Sequence, residues 1–426
     1  MKKDILKQLK QKDLSFYQKA KLFEEFNIKH NDGKKEAAYY TKEEVVQKIV
    51  EELPLLKNKD HITILEPSVG IGNFIPYILK KYYSKKKITL ILNDTNKFSL
   101  ECLKLLLDTY IKENNIENVE FNYINSDYLK NDFSKYNIDI IVGNPPYFSI
   151  KDKTYLKELK QTYNDKTTNI FAYFIHKAIK ESDIVSFIIP KGILFAGNYK
   201  KLRSTLHQNI SNIIDYQKAA FKVNLETISF LYNKKDNSDN VVIKNYLNNT
   251  TTNTFKSYIF QKEFPIWLIY RNKEFDTTLN KIQLGCFDVF RDRQITNKML
   301  NDENGKWILR GRNLKNNSVI HIKNYDKYIL EYKNLTVFKK INNYKDKIII
   351  APNLTQYPRF NILPENTIVN GSVALFFLKD NLNFSQKDID FLNSKEFMKY
   401  FDIVRNKSKL TINLDNYIGF FIGILK

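Results

Sequence analysis

The residues with the clearest chemical potential form one tetrapeptide, Asn144-Pro145-Pro146-Tyr147. It follows the apolar run 138–143, which predicts a buried strand of a mainly parallel sheet. Because two prolines can neither extend a β-ladder nor continue a helix, the chain must turn out at the carboxyl end of that strand. An amide oxygen and a proline carbonyl there could accept hydrogen bonds from the NH2 group of a planar molecule, and the ring of Tyr147 could stack on it.

A second group of small and polar residues follows the apolar strand predicted at 62–65. Gly70 and Gly72 permit a ligand to approach the backbone closely, and Glu66 stands where a carboxylate could receive an ammonium group. The third glycine of the dinucleotide-binding fingerprint is missing. Two glycines in a turn are weak evidence alone, and the order of the elements around them strengthens the interpretation as a ligand loop.

Two acidic residues end the next two predicted strands. Asp94 follows the strand at 88–92 and could accept hydrogen bonds from both hydroxyls of a ribose. Asp127 follows the strand at 119–124 and could accept a hydrogen bond from the amine of an adenine, with Tyr128 packed beside that ring. The alternative for each is a solvated loop residue. Since the carboxyl ends of parallel strands meet at one edge, we expect these side chains to face one crevice.

The segment before the glycine loop predicts two helical stretches. Residues 1–36 form a charged, helix-favouring lead-in that ends in a turn at 31–35. Thr41 is predicted as an N-cap, with Glu44 as its capping-box partner and a helix that runs to about Glu52. The amino terminus of a helix exposes unpaired N–H groups, which would suit a carboxylate.

The remaining pattern up to about residue 235 completes an alternation of strands and helices. Beyond the helices at 74–82 and around 100–110, we predict the following elements: a polar loop at 151–166, helices at 169–178 and 199–208, and strands at 184–189, 213–216 and 227–232. The fourth predicted strand ends at the tetrapeptide. Together with the other predicted strands, it gives a sheet of seven strands. Phe221 lies in the loop before the last strand and, taken alone, reads as a core residue.

From about residue 236 the sequence changes to β-favouring pieces joined by basic loops. Arginines stand on glycine- or proline-stiffened loops at 290–294, 309–313 and 357–360, and 370–377 predicts a turn into a buried strand. Arginines on such loops can reach phosphates and guanine edges, although basic loops are most often solvated surface.

The composition predicts a folded protein of more than one domain. The chain has 426 residues, 43% of them hydrophobic and 14% aromatic, enough for sizeable cores. Its formal net charge of +21 suits a polyanion such as nucleic acid, although an AT-rich genome would enrich lysine without that function.

Metal and membrane functions find no support in the sequence. Cys102 and Cys286 are far apart and lack metal-ligand spacing, as expected in a reducing cytoplasm, and the five histidines form no paired motif. The first residues are charged, unlike a signal peptide, and the apolar stretch 417–425 is too short to span a bilayer. We therefore predict no metal site, a cytoplasmic location and no membrane partner.

The order of these residues resembles the TaqI-like, gamma-class adenine-N6 DNA methyltransferases. The positions that carry the resemblance, between about residues 37 and 233, are Thr41, the loop Glu66-Pro67-Ser68-Val69-Gly70-Ile71-Gly72, Asp94, Asp127, Asn144-Pro145-Pro146-Tyr147 and Phe221. Two departures occur: Asn93-Asp94 replaces the usual run that contains a glutamate, and Lys42 stands where proline is common.

The resemblance implies a role for each matched residue. The cofactor S-adenosylmethionine would be held by Thr41, Glu66, Gly70, Gly72, Asp94, Asp127 and Tyr128. A flipped adenine would be bound at Asn144, Pro145, Pro146 and Tyr147, with Phe221 stacked on its other face.

The resemblance also implies the architecture and the activity. We expect a Rossmann-like α/β methyltransferase domain at 37–235, with a seven-stranded sheet and helices on both faces, after the helical lead-in at 1–36. A mixed, β-rich DNA target-recognition domain would occupy 236–426. The predicted function is site-specific methylation of adenine N6 in duplex DNA, as part of or derived from a restriction-modification system.

Alternatives stay open at this stage. The same pocket could serve an RNA methyltransferase or a protein-glutamine N-methyltransferase, because the substrate of each enzyme presents a similar NH2 group. A noncatalytic DNA-binding protein on a methyltransferase fold is the alternative from another class. We expect a monomer whose partner is double-stranded DNA, and a separate restriction endonuclease as a further partner stays open.

Overall fold

The computed structural model describes residues 2–11, 13–30, 40–344, 348–379 and 382–426. The turn predicted at 31–35 lies outside these ranges. The chain forms two compact units, the first made of residues 1–193 and 198–256 and the second of 194–197 and 257–426.

The first unit contains eight helices and nine strands among the described residues. The helices are α1 (Lys2–Leu9), α2 (Phe16–His30), α3 (Glu43–Glu51), α4 (Ile75–Tyr82), α5 (Lys97–Glu113), α6 (Lys153–Tyr163), α7 (Ile170–Glu181) and α8 (Lys200–Leu206). The strands are β1 (His61–Glu66), β2 (Lys87–Asp94), β3 (Val119–Asn125), β4 (Ile140–Gly143), β5 (Ile184–Pro190), β6 (Ile210–Gln217), β7 (Thr227–Asn233), β8 (Asn240–Asn245) and β9 (Thr250–Phe255).

These strands form one mixed sheet in the order β3-β2-β1-β4-β5-β7-β6-β8-β9. Strands β1 to β5 pair in parallel, and β7 runs antiparallel between β5 and β6. The apolar runs of β1, β2, β4 and β5 are buried along most of their lengths, as expected for strands covered on both faces. The predicted α/β methyltransferase-type sheet is confirmed, with each of its seven strands present.

Two further strands extend the sheet beyond the predicted count of seven. Strand β8 pairs in parallel with β6, and β9 pairs antiparallel with β8, so the first unit runs to Lys256. The residues of β9 are almost all exposed threonine and asparagine. Because that strand buries no apolar face, its sequence carries no periodic signal, and the polar cluster before β8 reads as a boundary.

One apolar cluster anchors the helices that precede and follow the glycine loop. Helices α1 to α5 contribute buried residues to it together with β1, β2 and β4. The two described helices of the lead-in, α1 and α2, therefore pack into the core of the first unit.

Two local predictions were wrong. Helix α3 begins at Glu43 with Lys42 at its N-cap and has no side-chain cap, so Thr41 and Glu44 do not form a capping box. The segment predicted as a polar loop contains helix α6, whose N-cap Asp152 accepts hydrogen bonds from the N–H groups of Thr154 and Tyr155.

The second unit is mixed and rich in short strands. Its helices are α9 (Lys256–Ile259, beginning at the last residue of the first unit), α10 (Lys273–Lys281), α11 (Thr336–Tyr344), α12 (Gln386–Leu392), α13 (Lys395–Val404) and α14 (Asn416–Gly419). Its strands are β10 (Ile282–Gln283), β11 (Phe287–Arg291), β12 (Lys306–Leu309), β13 (Leu314–Lys315), β14 (Ser318–Val319), β15 (Lys327–Ile329), β16 (Ile348–Pro352), β17 (Leu354–Thr355), β18 (Asn361–Ile362), β19 (Thr367–Val369), β20 (Val373–Leu378), β21 (Ile412–Asn413) and β22 (Ile424–Leu425).

The second unit is organised around strand β20. All six residues of β20 are buried, which confirms the predicted turn into a buried strand. It lies in the antiparallel sheet β11-β20-β16-β18, and a second sheet has the order β15-β12-β19. Among the residues described in both units, none of the helices is long and apolar enough to cross a membrane.

Candidate active site

The carboxyl ends of β1 to β4 surround a cavity of about 530 Å³. Its lining includes these predicted residues: Thr41, Glu66, Gly70, Asp94, Asp127, Tyr128, Asn144, Pro145 and Pro146. Three predicted residues are not in its lining, namely Gly72, Tyr147 and Phe221. The sheet order thus brings together most of the side chains that the sequence places after separate strands.

Asn144 is held at the wall of this cavity by hydrogen bonds to both its side chain and its backbone. Its Nδ2 donates to Oγ1 of Thr41 at 3.1 Å, and Oγ of Ser68 donates to its backbone carbonyl at 2.9 Å. Thr41 is almost fully buried. Its hydroxyl, which does not cap α3, therefore orients the amide that carries the predicted acceptor oxygen.

Asp94 closes the glycine loop onto the start of α5. Its Oδ2 accepts a hydrogen bond from the N–H of Gly70 at 2.8 Å, and its Oδ1 accepts one from the N–H of Asn96 at 2.8 Å. A carboxylate oxygen can accept more than one hydrogen bond, so these contacts do not by themselves prevent Asp94 from binding a ligand hydroxyl. Asp94 can thus shape the loop and bind a ribose at the same time.

Glu66 is a buried carboxyl group in the lining of the cavity. The residue is only 3% exposed, and its Oε2 has no hydrogen-bond partner among the described residues. Burial, and secondarily the charge of Asp94, raise the pKa of this carboxyl well above its ordinary value of 4.5. A cationic group beside Glu66 would stabilise its charged form, so the site fits the ammonium group at the amino-acid end of S-adenosylmethionine.

The end of the cavity beside β3 is built around Asp127. Its Oδ1 accepts from the N–H of Leu129 at 2.9 Å, and its Oδ2 accepts from the hydroxyl of Tyr155 at 2.9 Å. Tyr128 is buried beside it and donates its hydroxyl to Glu181 at 2.7 Å. Tyr155 belongs to α6 and lines the cavity, although its segment was predicted as a loop.

Asn93 is a site residue that the sequence analysis treated only as a departure from a family pattern. Its Nδ2 donates to the carbonyls of Pro67 at 2.9 Å and Ser126 at 3.1 Å, and its Oδ1 accepts from the hydroxyl of Ser126 at 2.8 Å. Its own carbonyl accepts from the N–H of Val69 at 2.9 Å. This buried residue near the end of β2 therefore ties together the loops that follow β1 and β3.

Helix α2 also contributes to the cavity, which the sequence did not indicate. Nδ2 of Asn27 donates to the hydroxyl of Tyr40 at 2.7 Å, and both residues line the cavity. The hydroxyl of Tyr17 donates to the carbonyl of Asn73 at 2.9 Å, and Nδ2 of Asn73 donates to Glu24 at 3.0 Å. The lead-in is thus part of the cavity wall.

Tyr147 and Phe221 meet, but in a different arrangement from the predicted stack. Their ring centroids are 6.1 Å apart with an interplanar angle of 67°, which is an edge contact. Phe221 is buried in the core, and Tyr147 donates its hydroxyl to the carbonyl of Ile188 at 2.6 Å. A planar group can stack between these rings only after they separate.

The two glycines of the loop have different surroundings, which gives a testable contrast. Both have positive φ, +55° for Gly70 and +81° for Gly72. A Cβ on Gly72 would lie 2.5 Å from Cδ1 of Leu103, whereas a Cβ on Gly70 would meet nothing within 4 Å. Gly72 is therefore packed closely against Leu103, and Gly70 faces open space at the cavity.

We expect Gly72→Ala to lose about 1–3 kcal/mol more unfolding free energy than Gly70→Ala, because only the former adds overpacking to backbone strain. Gly70→Ala should instead be the variant that weakens binding of S-adenosylhomocysteine, since its methyl group narrows the cavity. Urea unfolding and calorimetric titration check the two expectations. Equal losses of stability in the two variants would contradict the assignment.

The chain matches the family model described as Eco57I restriction-modification methylase over residues 26–223. It is 30% identical to the type II methyltransferase M.AccI of Acinetobacter calcoaceticus, over 45% of this chain and 36% of that protein. It is 28% identical to the modification methylase CviBIII of Paramecium bursaria Chlorella virus NC1A, over 54% of this chain and 55% of that protein. The chain thus spans between about a third and about half of the length of these curated relatives.

Two solved structures share the fold over nearly the whole chain. The type ISP restriction-modification enzyme LlaGI, in a complex with a DNA substrate mimic, is 14% identical with a TM-score of 0.56, over 94% of this chain and 56% of that one. The type IIG restriction endonuclease BpuSI is 12% identical with a TM-score of 0.52, over 96% of this chain and 61% of that one.

These findings confirm the family resemblance at the level of restriction-modification methylases. Methylases of this family use S-adenosylmethionine, and the cavity residues fit that cofactor. Residues 26–223 are therefore similar to the Eco57I restriction-modification methylase family.

Proposed function

We propose that this chain is a site-specific DNA methyltransferase that methylates N6 of an adenine extruded from duplex DNA, within a restriction-modification system. The observation that carries the proposal is the position of Asn144, which Thr41 and Ser68 fix at the wall of the cofactor cavity. The matched relatives, named as a type II methyltransferase and a modification methylase, support the same activity class.

The proposed chemistry needs positioning and hydrogen-bond acceptors rather than a base. Adenine N6 is a poor nucleophile because its lone pair is delocalised into the ring. If Oδ1 of Asn144 and the carbonyl of Pro145 accept hydrogen bonds from its two N–H groups, the nitrogen becomes more tetrahedral and its lone pair can attack the methyl group. The methylated nitrogen would then release one proton to water. S-adenosylmethionine, when bound, supplies an already activated methyl group. Holding the amine in line with that methyl is then the main contribution of the protein.

Access to a base in a duplex requires that the base be flipped out, which costs a few kcal/mol. Stacking against Tyr147 and Phe221 would return roughly 1–3 kcal/mol for each aromatic contact. Because these two rings now contact each other edge to face, we propose that they separate when the adenine enters.

We propose that the C-terminal part, predicted as residues 236–426, recognises the DNA target. The second compact unit, from residue 257 onward, carries the three arginine loops noted in the sequence. The net charge of +21 favours association with DNA. The likeness to LlaGI, solved with a DNA substrate mimic, supports this proposal.

A transfer assay tests the proposed function. The purified chain is incubated with tritiated S-adenosylmethionine and with separate pools of duplex DNA, RNA and peptide release factor, with Asn144→Ala as control. Label in DNA as N6-methyladenine supports the proposal. Label only in RNA or protein would assign the same pocket to another substrate, and S-adenosylhomocysteine binding without any transfer would favour a noncatalytic DNA-binding protein.

Tyr155 provides a separate prediction for the adenine end of the cofactor. Its hydroxyl donates to Oδ2 of Asp127, and burial and the charge of Asp127 raise the pKa of this phenol, so it stays a donor at neutral pH. We expect Tyr155→Phe to weaken S-adenosylhomocysteine binding by about 2- to 10-fold, because one oriented hydrogen bond is lost. Calorimetric titration measures the affinity.

An analogue whose purine lacks the 6-amino group serves as the control ligand. If Tyr155 acts by orienting Asp127 toward that amine, Tyr155→Phe should leave the affinity for the analogue near its wild-type value. An equal loss for both ligands would mean that Tyr155 only supports the shape of the cavity.

A further inference from the structure

Arginine is rare in this chain and is concentrated in one part of it. Of its 68 lysines and arginines, eight are arginine. Five of the eight stand on the three loops already noted in the second unit: Arg291, Arg293, Arg310, Arg312 and Arg359. A surface that needed only positive charge could use lysine, as the rest of the chain does, so these five positions indicate a need for the guanidinium fork.

The three loops converge on Gly311. The N–H of Gly311 donates to Oγ of Ser372 at 3.0 Å, and Nη2 of Arg359 donates to the carbonyl of Gly311 at 3.3 Å. Nε of Arg291 donates to the carbonyl of Gly371 at 2.8 Å, in the turn that contains Ser372. Arginines that are far apart in sequence therefore lie on one connected surface, which we name the arginine edge.

Part of the arginine edge is held in position before any ligand binds. Nη1 of Arg310 donates to the carbonyl of Tyr325 at 3.0 Å, and its guanidinium lies 4.3 Å from the centre of the Tyr325 ring. The guanidinium of Arg312 lies 5.5 Å from the same ring. Side chains that are already ordered lose less conformational entropy when they bind a partner.

The charge of the arginine edge is not neutralised within the described part of the chain. None of its five arginines forms a salt bridge there, whereas Arg271 pairs with Asp276 at 2.7 Å. Arg291, Arg293 and Arg312 are exposed. The adjacent Asp292 is buried, and its Oδ2 accepts a hydrogen bond from the N–H of Ile295.

We propose that the arginine edge binds duplex DNA, with its exposed guanidinium forks donating to paired acceptor oxygens and nitrogens. Two sources offer that acceptor pattern: backbone phosphates, and the O6 and N7 atoms of guanine in the major groove. The inference rests on the proposed function, and it adds the residues that contact DNA.

The test uses the full chain with Arg293→Lys and Arg312→Lys, which keep the charge and remove the fork. Lys395→Gln, which removes an exposed charge elsewhere in the second unit, is the control. Fluorescence anisotropy measures affinity for a duplex selected by the wild-type chain and for a scrambled duplex. Each Arg→Lys variant should lose about 5-fold or more on the selected duplex, with the control near wild type.

The pattern of loss identifies the acceptor. A loss on the selected duplex alone assigns guanine, whereas equal losses on both duplexes assign phosphate. Wild-type affinity of both variants for both duplexes, or no DNA binding by the parent chain, would overturn the inference. Fluorescence anisotropy measures DNA binding without methyl transfer. A failure of the proposed methyl transfer would therefore not change the interpretation of this result.

Discussion

Asn144→Ala is expected to lower kcat for methyl transfer by at least about 100-fold, by analogy with the loss of a preorganised polar group that acts on the reacting atom. The substitution removes the amide oxygen that is proposed to accept an N6 hydrogen. The affinity for S-adenosylhomocysteine should stay close to that of the wild-type chain, because the cofactor is assigned to other residues of the cavity, Glu66 and Asp94 among them. Single-turnover transfer of tritium to duplex DNA measures the rate, and calorimetry measures the affinity.

Ser68→Ala is a graded control for this prediction. It removes only the hydrogen bond that holds the backbone carbonyl of Asn144, so its effect should be near the value of one ordinary hydrogen bond, about 2- to 10-fold. A kcat of Asn144→Ala within tenfold of wild type would exclude the acceptor role. A parallel loss of cofactor affinity would mean that Asn144 contributes to cofactor binding and not to binding of the reacting amine.

Glu66→Gln should make the chain more stable without cofactor and poorer at binding it. The carboxyl is buried, and its Oε2 has no partner among the described residues, so its charged form is destabilised in the empty protein. A neutral amide of the same size removes that cost and should add at least about 1 kcal/mol of unfolding free energy at pH 7.5. The same change removes the charge that would pair with the ammonium group, which should cost about 10-fold or more in affinity.

The pH dependence follows from the direction of the pKa shift. Because the folded pKa of Glu66 lies above 4.5, the folded protein without cofactor keeps this proton at pH values where the unfolded chain has lost it. The contribution of Glu66 to stability is therefore greatest at low pH, and it falls as the pH rises from 4.5 toward the raised pKa. Glu66→Gln should lose this part of the pH dependence.

Urea unfolding from pH 5 to pH 8, with and without S-adenosylhomocysteine, checks both halves of the Glu66 prediction. Glu44→Gln is the matched control, since Glu44 is exposed on α3 and outside the cavity lining. The contrary result is that Glu66→Gln is less stable than the wild-type chain without ligand and binds S-adenosylhomocysteine normally. That result would mean that the carboxyl stabilises the protein through an internal contact and does not bind the cofactor.

The sequence predicted the sheet and most of the cavity for one physical reason. Parallel strands buried on both faces appear as apolar runs, and the residue after each run must lie at the same edge of the sheet. Glu66, Asp94, Asp127 and Asn144 could therefore be placed together before the structure was known. Their roles in binding cofactor and adenine remain predictions.

The parts that the sequence analysis missed are those fixed by tertiary contacts. Asn93 resembles any polar residue at the end of a strand, and only the sheet shows that its amide reaches the loops that follow β1 and β3. Helix α6 buries little besides Leu159, so its apolar pattern is faint and its segment resembles a loop. The Thr41 hydroxyl could cap a helix or form a hydrogen bond with Asn144. Sequence spacing cannot decide between them, because either arrangement gives the hydroxyl a hydrogen-bond partner.

The packing of helix α2 against the cavity has a consequence for regulation. Asn27 lines the cavity, and Tyr17 and Glu24 hold Asn73 at its wall. Binding of a ligand in the cavity and docking of α2 are therefore thermodynamically coupled. If a ligand stabilises the docked position of the helix, then by reciprocity its affinity is lower, by the same factor, when the helix is undocked. Undocking of α2 would therefore lower the affinity of the cavity for a ligand that contacts this helix.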